Sequence, residues 1–246
     1  MLIKEKCGYF EDAISETDFV YLPAYAMRSD LFSLFSIFSM QGYRRAGDMM
    51  YKNLCPSCRK CQSIRIPVKA FAPGKSQRKV WRINQDIEIS LCESQEDMFS
   101  DAKIELYRRY CKKHGKDIAA AESKAELAYW NGIEGETGKI HYCGTKNIDY
   151  YLDDTLVGVS VIDMLDGGIS SVYFYYDISP AIMKRSLGTY SVLRELALCR
   201  ENNLDYYYLG YYIADCDKMN YKARFKPYEL LSPEGDWQSE PATRRV

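Results

Sequence analysis

Apolar positions along the chain change spacing repeatedly between two and three to four residues, and each change predicts a new element. Asp86–Leu91 alternates like a half-buried strand. Ser94 with Asp97 makes a capping-box start for a helix running to about Lys113, ended by His114-Gly115. A second helix is expected from about Ala121 to Trp130. From Lys139 onward the spacing of two returns. Ile148–Leu152, Leu156–Met164 and Ile169–Tyr176 are expected as strands joined by the tight turns Asp153-Asp154 and Asp166-Gly167-Gly168, an antiparallel meander. Pro180 breaks it, and an amphipathic helix follows over about Leu187–Glu201, with Tyr190, Leu193 and Ala197 on one face. Asn202-Asn203 closes that helix, and Tyr206–Ile213 reads as a further strand.

Ahead of this, Asp30 caps a helix to about Gln41 that Gly42 stops as a C′ glycine. Ser63–Val68 reads as a short strand, and Ala72-Pro73-Gly74 turns the chain into the basic segment Lys75–Arg82. The expected class is α+β. Meander, helix, strand is the order of GNAT-type acyltransferases, so residues 86–246 are expected as a GNAT-like core and residues 1–85 as a basic, cysteine-containing region packed on it.

Composition narrows the class. The 246 residues are 47% hydrophobic and 27% charged, and no apolar run is long enough to cross a bilayer. The first residues, MLIKEKCGYFED, lack the apolar block of a secretory signal, so nine cysteines are expected as reduced thiols in the cytoplasm. Net charge is −1, but it is unevenly spread: residues 1–85 carry 14 Lys/Arg against 7 Asp/Glu, the remainder 19 against 27. Gly42–Arg82 holds eleven basic residues and one acid, Asp48, a footprint suited to phosphate backbones and also found on plain solvated faces.

Four stretches could carry chemistry. In Gly42–Gly47 two glycines bracket Arg44-Arg45, whose guanidinium forks can grip carboxylate or phosphate; a solvated loop with surface arginines is the competing reading. Cys55, Cys58 and Cys61, with Cys7 as a distant fourth, have the spacing of ligands for zinc or an iron–sulfur cluster, or shape a thiol-containing turn. Arg185-Ser-Leu-Gly188-Thr189-Tyr190 lies at a helix start, where free N–H groups bind phosphate, although Tyr190 stands where a coenzyme A signature has a small residue. Beyond the aromatic strand, Lys218, Lys222, Arg224 and Lys226 interleave with Tyr221 and Phe225, a mixture suited to adenosine and its phosphates. A core strand with an ordinary basic tail would account for the same residues.

Taken together, GYRRAGDMMYKNLCPSC, the KSQRK of Lys75–Lys79, SLGTYSVLREL and LGYYIADCDKMNYKARFKP resemble the aminoacyl-tRNA-protein transferases, in order, from about Cys7 to Leu231. The resemblance implies a GNAT-like core, an aminoacyl-tRNA donor, and acceptor proteins that begin with Asp or Glu and are thereby marked for degradation. It implies substrate-binding roles for Arg44, Arg45, Tyr211, Lys218, Tyr221, Lys222 and Arg224. Contacts to tRNA are implied for Lys75, Ser76, Arg78, Arg185, Gly188 and Thr189, with no cofactor required for the chemistry. Larger relatives bind an iron–sulfur cluster through a cysteine quartet; Cys7 and Cys55 fall at two of its places, while Phe10 and Leu54 stand at the others.

Short bacterial relatives of this kind use leucine and eukaryotic ones arginine. Asp215 and Asp217, the latter where relatives usually have proline, would favour a cationic donor, so arginine is expected ahead of leucine. The ester is already activated, so positioning and oxyanion donors can carry the rate, and neither His114 nor His141 is expected to act as a base. Two other classes stay open: a coenzyme A-dependent GNAT enzyme and a metal-stabilised RNA-binding module.

Overall fold

A computed structural model describes residues 1–21, 28–92, 94–132 and 144–240. His141 lies outside them. The chain opens with β1 (Leu2–Lys6) and β2 (Ile14–Tyr21), then α1 (Arg28–Met40), the hairpin β3 (Arg44–Ala46) and β4 (Met49–Asn53), β5 (Gln62–Pro67), α2 (Lys75–Ile83) and β6 (Glu88–Cys92). Helices α3 (Gln95–Met98), α4 (Asp101–Lys113) and α5 (Ala120–Trp130) precede the meander β7 (Thr145–Leu152), β8 (Thr155–Leu165) and β9 (Gly168–Tyr176). Then come α6 (Pro180–Met183), α7 (Leu187–Glu201), β10 (Tyr206–Tyr212), α8 (Asp217–Asn220), a 3₁₀ turn at Tyr221–Arg224, β11 (Glu229–Leu231) and β12 (Trp237–Ser239).

The class is α+β, and meander, helix and strand follow one another as their patterns indicate. Four elements depart from expectation. Helix α1 begins at Arg28, so Asp30 lies in its first turn and is not its cap. Arg44 and Arg45 sit on a strand, because Gly42 (φ +85°) and Gly47 (φ +63°) turn the backbone on either side of it. The single helix expected from Ser94 is two, with Ser100 at the N-cap position of α4; Ser94 does accept the Asp97 N–H at 3.2 Å. The basic segment Lys75–Arg82 is helical. Strands β1 and β2 are too mixed in polarity for the period of two to reveal them.

Among the described residues the strands form two sheets, ordered β1-β2-β4-β3 and β12-β11-β5-β10-β9-β8-β7-β6. Strand β5 runs between β10 and β11, so the N-terminal part of the chain supplies an inner strand of the large sheet. Helices α2 and α7 cover one face, burying Ile64, Ile66, Ile162, Ile169, Leu193 and Leu196. On the other face α4 and α5 bury Leu106, Leu127, Val159 and Tyr175.

One pairing positions the site. Strands β9 and β10 are parallel, joined through α7, and they pair only over Gly168–Ser170 and Tyr206–Tyr208. Beyond those residues the two strands continue without pairing to each other, and β10 carries an irregularity between Tyr208 and Gly210 on its other edge. The sheet is thus split on the side to which both strands run, and unpaired backbone groups face the split.

Candidate active site

A cavity of about 970 Å³ occupies the split. Strand β9 contributes Ser171, Val172, Tyr173 and Phe174, and β10 contributes Leu209 and Tyr211. The first turn of α2 adds Ser76 and Gln77, and the start of α7 adds Ser186, Gly188 and Thr189. Tyr9 and Tyr51 close it from the small sheet, and Lys218, Tyr221, Lys222 and Arg224 from the α8 region. Four basic side chains, Arg44, Lys218, Lys222 and Arg224, line this space, and among the described lining residues there is no carboxylate.

Arg44 reaches the cleft from β3. Its Nη2 donates to the Ser171 carbonyl at 2.7 Å, and its Nη1 is buried without a hydrogen-bond partner in the structure. A Cβ on Gly210 (φ +82°) would come within 1.6 Å of that Nη1, so glycine is required there both for the backbone turn and for the guanidinium. Gly210 is not among the site residues expected from the sequence, although a glycine inside an aromatic strand, with no side chain to pack, marks a place where another group can approach closely.

Arg45 has a different place from the one expected. Its side chain is buried against Asp163, Nε to Oδ2 at 2.8 Å, and Nη2 donates to the Trp130 carbonyl at 2.7 Å. Asp163 also accepts from Thr145 Oγ1 at 2.7 Å. All this fixes β3 to β8 and to the end of α5 and leaves the guanidinium committed; of the arginine pair, only Arg44 lines the large cavity. Alternation along a strand explains the split between neighbours.

Lys222 is 6% exposed, and its Nζ donates to the Tyr211 carbonyl at 2.6 Å and lies 3.6 Å from the Met219 thioether. Burial, and then the Arg44 guanidinium, push its ammonium down to about 7, against a smaller opposing effect of Cys216. Burial holds the phenols of Tyr9, Tyr211 and Tyr221 above their ordinary value, so they stay neutral donors. Gln77 links two walls: its Oε1 accepts from Gly74 N at 2.7 Å and its Nε2 donates to the Arg224 carbonyl at 3.1 Å.

At the α7 end, Ser186 takes a left-handed conformation (φ +56°) and brings Gly188 and Thr189 to the cavity wall. Arg185 does not join them: it forms a two-point ion pair with Asp86, at 2.7 and 2.8 Å, and donates to the Ile83 carbonyl at 3.0 Å. Lys75 and Arg78 lie exposed on α2 beside Ser76. Asp215 pairs with Lys60 at 2.8 Å, and Asp217 opens α8 and accepts from Asn220 at 3.3 Å; neither lines the cavity. The charge basis for an arginine donor is therefore absent from the cleft. Tyr9, Tyr51, Trp130 and Ser171 line the site without any sequence signal, because long-range packing alone brings them there.

A side cavity of about 290 Å³ shares Tyr9, Arg44, Tyr51, Trp130 and Val172 with the cleft and is also lined by Cys7, Cys55, Cys58 and Cys61. The four thiols do not fit a metal or cluster. Among the described residues no three of His, Cys, Asp and Glu form a metal-holding group. Cys55 Sγ accepts the Glu16 N–H at 3.4 Å, and burial pushes the Cys61 thiol up to about 11. No helix among the described residues is long and apolar enough to cross a membrane.

Comparison with known proteins identifies the family. Residues 5–79 match the family described as arginine-tRNA-protein transferase, N terminus, and residues 102–232 match its C terminus. An aspartate/glutamate leucyltransferase of Saccharophagus degradans is 32% identical over 225 residues, covering 92% of this chain and 89% of that one. Another, of Marinobacter nauticus, is 33% identical over 232 residues, covering 94% and 91%. Among solved structures, L-PGS from Bacillus licheniformis is similar at a TM-score of 0.47 and 12% identity, over 74% of this chain and 59% of that chain. With matches to both parts of the family and relatives of this identity along nearly its whole length, the chain belongs to the arginine-tRNA-protein transferase family and is an aminoacyltransferase.

Proposed function

We propose that this protein transfers leucine from leucyl-tRNA to the α-amino group of proteins beginning with Asp or Glu, marking them for degradation in the cytoplasm, where charged tRNA is made. The observation that carries this reading is the cleft with the cations Arg44, Lys218 and Arg224, the amine of Lys222, and no carboxylate among its described lining residues. Such a wall attracts the acceptor's acidic side chain and the phosphates of the tRNA end, and it repels an arginyl side chain. The relatives' names, aspartate/glutamate leucyltransferase, point to the same donor and acceptors.

In this reading Arg44, Lys218 and Arg224 orient the acceptor carboxylate. Gly188 and Thr189 at α7, with Lys75, Ser76 and Arg78 on α2, hold the tRNA end, and the protonated phenols of Tyr211 and Tyr221 donate toward the oxyanion. Both matched parts of the chain build the cleft: the first brings Tyr9, Arg44, Tyr51 and the start of α2, the second β9, β10, the start of α7 and the α8 region. No metal or cofactor takes part in these steps. The test is transfer to peptides beginning with Asp, Glu or Ala from leucyl-tRNA and from arginyl-tRNA, with and without ribonuclease. Leucine appearing on the acidic peptides alone, and only with intact tRNA, is expected. Transfer of arginine in preference to leucine, or an acyl transfer that survives ribonuclease, would overturn it.

A further inference from the structure

Attack on an ester requires a neutral amine, whereas the α-amino group of a peptide is largely an ammonium at neutral pH, with an ordinary value of about 7.7–8.0. A proton acceptor is therefore needed, and among the described residues no histidine lines the cleft. His114 lies against Tyr110 at the end of α4 and does not line the cleft, and His141 is outside the described residues.

We propose that Lys222 takes the proton from the acceptor's α-ammonium group, and that the acidic side chain of the same acceptor is the counter-ion that lets it keep that proton. The inference rests on the cleft being the transfer site. Lys222 is a buried amine whose hydrogen-bond partners, the Tyr211 carbonyl and the Met219 thioether, are both uncharged. The groups facing it carry the wrong charge for an ammonium: Arg44 from β3, with Lys218 and Arg224 on the same wall. Tyr211 from β10 and Tyr221 stay neutral, Cys216 is the one group that opposes Arg44, and the buried Glu195 of α7 is bound by Tyr207 and Ser160. An empty cleft therefore favours the free amine, consistent with a value near 7.

The step balances without another reactant. One proton leaves the acceptor's ammonium for Lys222 Nζ. The freed lone pair forms the C–N bond at the ester carbonyl carbon, and the C=O π pair moves to the oxygen. Collapse breaks the C–O bond to the ribose, and the second proton of the nitrogen ends on that ribose oxygen. The proton on Lys222 then leaves with the product. While it is held, the ammonium beside Arg44 is uncompensated unless the acceptor brings a carboxylate. Asn and Gln fit the same space but bring no charge. Part of the preference for Asp and Glu is thus paid out in the chemical step and reads in kcat, not only in KM.

The experiment follows kcat and KM from about pH 6 to about pH 9 for wild type, Lys222→Met and Lys222→Arg. Acceptors begin with Asp or Asn, the donor is whichever charged tRNA the wild type uses, and thermal melts establish folding. Both variants are expected to lose about 10²-fold or more in kcat near pH 7 and to regain most of it near pH 9, where the acceptor's ammonium gives its proton to solvent. A loss equal at both ends of the range in folded variants is the mark of binding alone and overturns the proposal. Should neither variant fold, an acceptor with an aminooxy group in place of its α-amine, unprotonated at neutral pH, decides the matter in the wild type. Its kcat should no longer prefer Asp over Asn, and a preference that persists unchanged overturns the proposal. Wild type that moves no amino acid from any tRNA fails the function reading instead.

Discussion

Arg44 Nη2 meets the carbonyl of Ser171 at 2.7 Å, one residue beyond the last β9 position that pairs with β10. The guanidinium takes up the backbone acceptor released where the strands part, and Gly210 on the facing strand leaves it room. One arginine thereby props the split and puts positive charge inside it.

Gly210→Ala is expected to displace Arg44, because the added Cβ falls within 1.6 Å of Nη1 at a backbone φ of +82°. Stability should drop by roughly 1–3 kcal/mol from the strained backbone. Arg44→Lys keeps the charge and loses the fork, so its activity should fall by about tenfold or more with a smaller change in melting temperature. Wild-type activity in either variant would remove Arg44 from the site.

Arg45→Ala leaves Asp163 buried with its cationic partner gone. Denaturant unfolding should show a loss of about 3–5 kcal/mol. Arg45→Met with Asp163→Leu should recover part of that loss, since no charge is then stranded. A folded, fully stable Arg45→Ala would mean that the pair does not anchor β3.

Stability should depend on pH through Glu195. Burial raises this carboxyl from 4.5 to about 7, against the opposing hydrogen bonds from Tyr207 and Ser160. The folded chain then binds the proton more tightly than the unfolded one, so its contribution is complete below pH 4.5 and is lost as pH rises through about 7. Lys222 has the opposite sign: its depressed value contributes stability that is present above 10.5 and lost as pH falls through about 7. Chemical denaturation of Glu195→Gln at several pH values should show a flatter slope between 4.5 and about 7 than wild type. An unaltered slope would count against a buried, protonated Glu195.

Much of the fold could be read in the chain. The meander, α7 and β10 follow from apolar spacing and turn chemistry, because each buries one continuous face. The cleft was legible only in part. Lys222, Arg224 and Gly188 announce themselves by charge or by a missing side chain, and they line it. Arg45, Arg185 and Asp215 carry equally suggestive charges, yet Asp163, Asp86 and Lys60 absorb them. Sequence records the charge of a residue but not the partner that folding brings to it. For the same reason no pattern pointed to Ser171, whose part depends on where two distant strands separate.

Gly188→Val offers a separate check on the donor end. A Cβ there meets nothing within 4 Å, so the larger side chain fits without a clash while intruding on the cavity wall. The melting temperature should hold, and KM for the charged tRNA should rise by about tenfold, equivalent to roughly 1.4 kcal/mol. An unchanged KM would place the tRNA end elsewhere.

Strand β5 lies between β10 and β11, paired with both, although nearly 140 residues of chain separate β5 from β10. The two segments that match the family separately are therefore not interchangeable cassettes. A hybrid that took residues 5–79 from one relative and the remainder from another would have to reconcile, inside a single sheet, a strand register that had diverged on each side of the junction. Substitutions along Ser63–Ile66 should accordingly be tolerated in step with changes at Tyr207–Tyr211, their facing partners, and resisted when made alone.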